Sequence, residues 1–137
     1  MKAIITTTAA CASLIGAAAA ADLTVTVEGV EARGGTFFVS VQTEAEFMGQ
    51  SGTDGSVTRA PGAGTLTRTY DLPPGEYAVT VWHDDDGNGE FDMGPGGMPL
   101  DGWAMSGTMA GMPSFQAAKV TVGEDGAAAT MSMTYGR

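Results

Sequence analysis

The stretch Leu72-Pro73-Pro74-Gly75-Glu76-Tyr77-Ala78-Val79-Thr80-Val81-Trp82-His83 decides the fold. From Tyr77 onward the residues sort with a period of two. Tyr77, Val79, Val81 and His83 fall on one face, and Ala78, Thr80 and Trp82 on the other. That period, carried by β-branched and aromatic residues, is the pattern of a strand with one buried face. The prolines before it mark a tight reversal. Pro74 presets φ, and Gly75 is predicted to take the positive φ of a type II turn.

The same alternation extends in both directions. Leu23, Val25 and Val27 alternate with Thr24, Thr26 and Glu28. After the turn signal Arg33-Gly34-Gly35, Phe37, Val39 and Val41 alternate with Phe38, Ser40 and Gln42. Thr65 to Tyr70 is β-prone but weakly patterned. Downstream, Ala118, Val120 and Val122 pattern a strand, Gly123-Glu124-Asp125-Gly126 turns the chain, and Ala129, Met131, Met133 and Tyr135 pattern the last strand. Two segments carry no period. Glu44 to Gly64 is polar and Gly-rich, holds Pro61, and reads mostly as a long loop. Residues 84–113 contain eight glycines and three prolines, too many breakers for regular structure. No segment shows a 3.6-residue stripe. About seven short strands separated by turns predict an all-β fold, an antiparallel β-sandwich of immunoglobulin or transthyretin type.

Residues 1–21 read as a secretory signal peptide. Lys2 supplies a positive start, Ala3 to Ile15 an apolar stretch too short to span a membrane, and Gly16 to Ala21 small-residue cleavage sites before Asp22. Cleavage after Ala21 is expected, leaving 22–137 as a single domain. Cys11 offers a lipoprotein anchor as an alternative, but Thr8-Ala9-Ala10 before it lacks the expected leucine. The only cysteine thus lies in the leader, so no disulfide staples the mature part. No later segment is apolar enough to span a membrane. Export to the periplasm or the extracellular space follows as an expectation.

The formal net charge is −10, with all 16 acidic residues beyond the leader. Such a balance disfavours nucleic acid and anionic lipid as partners and favours a divalent cation. The charge is concentrated in Asp84-Asp85-Asp86-Gly87-Asn88-Gly89-Glu90-Phe91-Asp92, five carboxylates in nine residues around the only asparagine of the chain. Each close carboxylate pair costs on the order of 1 kcal/mol in water, a cost that a hard cation removes. The spacing fits calcium: Asp84, Asp86 and Asn88 at positions 1, 3 and 5, a turn glycine at Gly89, the Glu90 carbonyl at 7 and Asp92 at 9. Position 12 is Pro95, so the usual closing glutamate is missing, and no helix flanks the loop. Asp101 is the nearest downstream carboxylate that could fold back to close the site. The predicted metal residues are therefore Asp84, Asp86, Asn88, Glu90 and Asp92. With few charged ligands, the affinity falls near the roughly 10⁻⁴ to 10⁻³ M of extracellular calcium modules.

Other residues support weaker readings. His83, the only histidine, is either a buried or half-buried imidazole hydrogen-bonded to Asp84, Asp85 or a loop backbone, or a metal ligand. Met93, Met98, Met105, Met109 and Met112 either fill irregular gaps or, with His83, form a soft Cu(I) site. Trp82, Trp103, Tyr77 and Phe115 are either core and sheet-surface residues or a sugar-stacking platform. The Gly/Met-rich loop 94–116 could recognise an envelope glycan or protein. With one histidine, no mature cysteine and no nucleophile motif, no catalytic constellation is found, and a non-enzymatic role is expected.

The ordered motifs resemble a known family. Leu72-Pro73-Pro74-Gly75-Glu76-Tyr77-Ala78-Val79 leads to His83-Asp84, Asp86-Gly87-Asn88-Gly89 and Asp92. Gly97-Met98-Pro99, Gly102-Trp103, Met112-Pro113-Ser114-Phe115 and Ala117-Ala118 follow. This order is similar to the exported bacterial family catalogued as domain of unknown function 2141, over about residues 22–135. The resemblance implies a secreted or periplasmic prealbumin-like β-sandwich with no assigned activity. The chain departs where many relatives carry proline at Met112 and an aromatic-Gly-Phe-Ser run at Trp103-Ala104-Met105-Ser106. The fold is implied by this resemblance; a catalytic residue is not.

Overall fold

Eight strands alternate between two facing layers in a computed structural model that describes residues 20–136. The smaller sheet holds β1 (Ala21–Val30), β4 (Gly64–Leu72) and β8 (Ala127–Ser132) in the order β4-β1-β8. The larger runs β3 (Asp54–Arg59), β2 (Thr36–Gln42), β5 (Gly75–Asp84), β6 (Gly102–Met105), with β7 (Val120–Val122) also paired to β5. The chain is therefore a β-sandwich. The predicted leader lies outside the described residues up to residue 19, as does Cys11; Ala21 already opens β1 opposite Leu72. Among the described residues, no helix is long and apolar enough to cross a membrane.

The inward faces are those the alternation marks. Leu23, Val25 and Val27 of β1, Phe37, Val39 and Val41 of β2, and Val79 and Val81 of β5 meet Leu72 and Tyr70 of β4 and Met131 of β8 in one core. Each fully buried side chain of this size contributes roughly 1.5–3 kcal/mol. The outward residues of β5, Thr80 and Trp82, are half-buried, because loops cross the outer face of the larger sheet.

Four features differ from the sequence expectation. First, β1 and β8 pair in parallel, Leu23 with Ala127 through Glu28 with Ser132, so one ladder of the sandwich is not antiparallel. Second, the predicted long loop 44–64 contains β3. Its sequence, Asp54-Gly55-Ser56-Val57-Thr58-Arg59, has no buried residue, and its hydrogen bonds come from β2, so no hydrophobic period exposes it. Third, the breaker-rich 84–113 segment yields β6, sustained by pairing with β5, while Ala118 belongs to the single-turn helix α1 (Phe115–Ala118) rather than to a strand. Fourth, Gly75 does not have positive φ. It is extended and paired with Val122, and the reversal is held instead by the Tyr77 hydroxyl donating to the Pro73 carbonyl at 2.7 Å.

Ser106 stitches the irregular part to the sheet. Its backbone N–H donates to the Val79 carbonyl, and its hydroxyl accepts the Val79 N–H at 2.8 Å and donates to the Ala118 carbonyl at 2.6 Å. α1 docks beside it, with Ser114 capping its start and Phe115 packing with Ala78 and Ala118. Ser106→Ala strands two buried backbone groups, a loss of about 2 kcal/mol. A fall in melting temperature of roughly 10 °C is expected by differential scanning calorimetry, and a change under 1 °C would remove Ser106 from this role.

Candidate metal centre

The β5–β6 ladder builds the site. Trp82 pairs with Trp103 and His83 with Gly102, so the next residues along, Asp84 and Asp101, end the two strands side by side. The chain then turns, with the Gly87 N–H on the Asp84 carbonyl, and Asp86 comes back over the strand end. Asp84, Asp86 and Asp101 each place a carboxylate oxygen within 4.8 Å of the others. Two oxygens bound to one calcium ion at 2.3–2.6 Å lie no more than about 5 Å apart, so this spacing is compatible with a shared ion.

Asp84 and Asp101 are buried, at 4% and 0% exposure. Asp101 Oδ2 accepts the Trp82 indole N–H at 2.8 Å and the Asp92 N–H at 3.2 Å. Asp84 Oδ2 accepts the Gly89 N–H at 2.8 Å. The other oxygen, Asp84 Oδ1, is buried without any hydrogen-bond partner among the described residues. A buried carboxylate oxygen left in that state costs about 1–3 kcal/mol or more, and native structures show few of them.

The remaining predicted residues divide. Asp92 lies beside the cluster. Loss of water around its carboxyl, and then the adjacent Asp86 carboxyl, hold it above the ordinary carboxylate range, while the Asn88 amide pulls the other way. Asn88 serves the loop itself: its side-chain oxygen accepts the Glu90 N–H at 2.9 Å and its amide donates to Asp92 at 2.8 Å. The Glu90 side chain is exposed. Gly89 has φ +75°, the left-handed turn expected at that position. Asp85 points elsewhere, to Arg33 at 3.2 Å.

His83 faces the core, away from the cluster. Its Nε2 donates to the Gly34 carbonyl at 2.7 Å, and its Nδ1 lies 2.9 Å from the Tyr135 hydroxyl, which accepts the Glu31 N–H. Both ring nitrogens are committed, which removes His83 from any metal set; of the partners weighed from sequence, the loop backbone is the one present, as the Gly34 carbonyl, and the second partner is the Tyr135 hydroxyl. Gly35, at φ +66°, lies against this strand end. A Cβ there would sit 1.9 Å from the Asp84 carbonyl oxygen, so only glycine fits.

A model of the bacterial family described as "Uncharacterized protein conserved in bacteria (DUF2141)" matches residues 25–130. The chain belongs to that family. No curated protein and no solved structure matches the chain significantly. In this DUF2141 member the family-like motifs have visible structural tasks. His83-Asp84 ends β5, Asp86-Gly87-Asn88-Gly89 forms the returning turn, Gly102-Trp103 pairs back onto β5, and Pro113-Ser114-Phe115 starts and anchors α1.

Asp101 was visible in the sequence only as the nearest downstream carboxylate. Its place opposite Asp84 depends on a strand pairing that the Gly/Pro-rich sequence does not announce. Asp84→Asn puts an amide where the unpartnered oxygen lies, within reach of neighbouring carboxylates. In metal-free buffer with a chelator, thermal melting of Asp84→Asn is expected several degrees above wild type. A lower value would show that the second oxygen is already satisfied in solution.

Proposed function

We propose that this chain is an exported, non-enzymatic β-sandwich whose strand-end carboxylates bind calcium, which braces the 84–101 loop against β5 and β6. One observation carries the reading: a buried carboxylate, Asp84, has an oxygen with no partner among the described residues and sits in a cluster with Asp86 and Asp101. Asp86, Asp84 and Asp101 supply the direct ligands, and Asp92, hydrogen-bonded through Asn88, stands ready beside them. Oxygen-only donors on a flexible loop favour calcium over magnesium, which demands tighter octahedral geometry. Export rests on the leader-like residues 1–21 and fits a weak site, because calcium outside the cytoplasm reaches the millimolar range where such a site fills. The role is structural: calcium at ten times the dissociation constant adds about 1.4 kcal/mol to stability.

Calorimetric titration of the mature protein with CaCl₂ is the test. Heat consistent with one ion per chain is expected, together with a rise in melting temperature of about 5–10 °C at saturating calcium. Asp86→Ala and Asp101→Asn are expected to lose both. An unchanged melting curve in millimolar calcium and in chelator alike would sink the reading.

A further inference from the structure

Six of the nine methionines line a single cleft of about 700 Å³ on the outer face of the larger sheet. Met131 and Met133, on or beside β8, belong to the interior, so the division between core and cleft methionines is sharp. The floor of the cleft is Thr80 and Trp82 of β5 with Trp103 and Met105 of β6. Its walls are three loop segments that carry Met48, the pair Met93 and Met98, and the pair Met109 and Met112.

Met105 packs against Ala78, Phe115 and Ala118, but gap-filling does not account for four of the others. Met48 is 61% exposed, Met93 52%, Met98 64% and Met112 91%. An unbranched side chain held in water gains little from burial and keeps its three flexible torsions. The segments that carry them are nonetheless anchored at their bases. Met93 bridges to Pro99, and the Gly94 N–H donates to the Met98 carbonyl at 2.7 Å, which closes a small hairpin. The Gln42 amide donates to the Gly49 and Ser51 carbonyls, and the Thr108 N–H donates to the Ala117 carbonyl. Firm bases with exposed thioether tips suit a site that gathers its ligands around an ion.

The donor chemistry of the cleft is uniform. Among the described residues, no carboxylate, imidazole or amine lines it. The polar side chains present, Gln42 and Thr80, bond to each other and to backbone. The hard oxygens of Asp84 and Asp101 lie beyond Trp82, whose indole N–H is committed to Asp101. What remains is thioether sulfur, the Phe91 ring and two indole faces. Thioethers select soft Cu(I) over hard cations, and an indole face attracts a cation.

We propose that this cleft is a Cu(I) site, with the ion held by thioether sulfurs from the Met93–Met98 hairpin, from Met105 and from the Met109–Met112 wall. His83 takes no part, because its nitrogens are spent on Gly34 and Tyr135. Its donor atoms are sulfur rather than the carboxylate oxygens of Asp84, Asp86 and Asp101, although Met93 and Met98 ride on the same 84–101 loop.

The test is anaerobic competition of the mature protein with the chromophoric Cu(I) chelator bicinchoninate, repeated with Ag(I) as a redox-inert probe. One Cu(I) per chain is expected, with at least a 100-fold loss of affinity in the triple variant Met93→Leu, Met98→Leu, Met112→Leu. Leucine keeps the apolar volume and removes only the sulfur, and these three positions are exposed, so the fold is retained and is checked by melting temperature. Failure of the wild type to take Cu(I) from the chelator overturns the proposal, as does a triple variant that binds equally well. Binding of an apolar dye by wild type and triple variant alike, without any copper response, would also overturn it and give the cleft to an apolar ligand.

Discussion

Four residue pairs between β5 and β6, Thr80 with Met105 through His83 with Gly102, set the geometry on which the rest depends. This short ladder fixes three things at once. It lays Trp82 beside Trp103 on the outer face, turns His83 inward, and ends with Asp84 and Asp101 adjacent. A slip by one residue would send Trp82 into the core and His83 to the surface. That register is pinned on both sides. Tyr135 and Gly34 hold His83 from within, and the Trp82 N–H holds Asp101 from without. Gly102 shares in this, because a Cβ there would meet the Tyr135 ring at 2.4 Å.

The layers were legible in the sequence in β1, β2 and β5, where one strand face meets the core, and only faintly in β4. Leu23, Val25 and Val27, then Phe37, Val39 and Val41, then Val79 and Val81 announce themselves by period two, and all are buried. The turn glycines Gly34 and Gly35 also have the positive φ that turns require. Legibility failed where hydrogen bonds alone define the element. β3 has Val57 as its only large apolar residue, and that side chain points to solvent. β6 is four residues in a run of glycine and proline, and backbone pairing with β5 on one side and with Thr134 on the other makes it a strand. The parallel partnership of β1 and β8 is likewise a tertiary fact, since alternation says nothing about strand direction.

The acidic loop shows the same division. Spacing alone marked Asp84 and Asp86, because residues two apart in a turn converge. It also assigned Asn88 a ligand role, whereas the side chain spends its oxygen on Glu90 and its amide on Asp92. Asn88 thus shapes the turn that brings carboxylates together, a task that the same residue type performs equally well. Asp101 reaches the cluster from the far strand, and nothing local to its sequence separates it from any other loop carboxylate. On the opposite side of Trp82 the donors change from oxygen to sulfur, with one indole standing between the two groups. Phe38 stacks on that indole at 4.9 Å and Phe91 meets its edge at 6.2 Å, so the partition is packed rather than open.

The parallel pairing of the first and last strands has a mechanical meaning. Because β1 and β8 run the same way, the start of one and the end of the other lie at opposite ends of their shared edge. Tension applied there pulls along the strands and loads the rungs from Leu23–Ala127 to Glu28–Ser132 together, in shear. An antiparallel arrangement would put both pulling points at one end and peel the rungs apart one at a time. A sandwich with no disulfide in its described residues therefore gains resistance to stretching from strand direction alone.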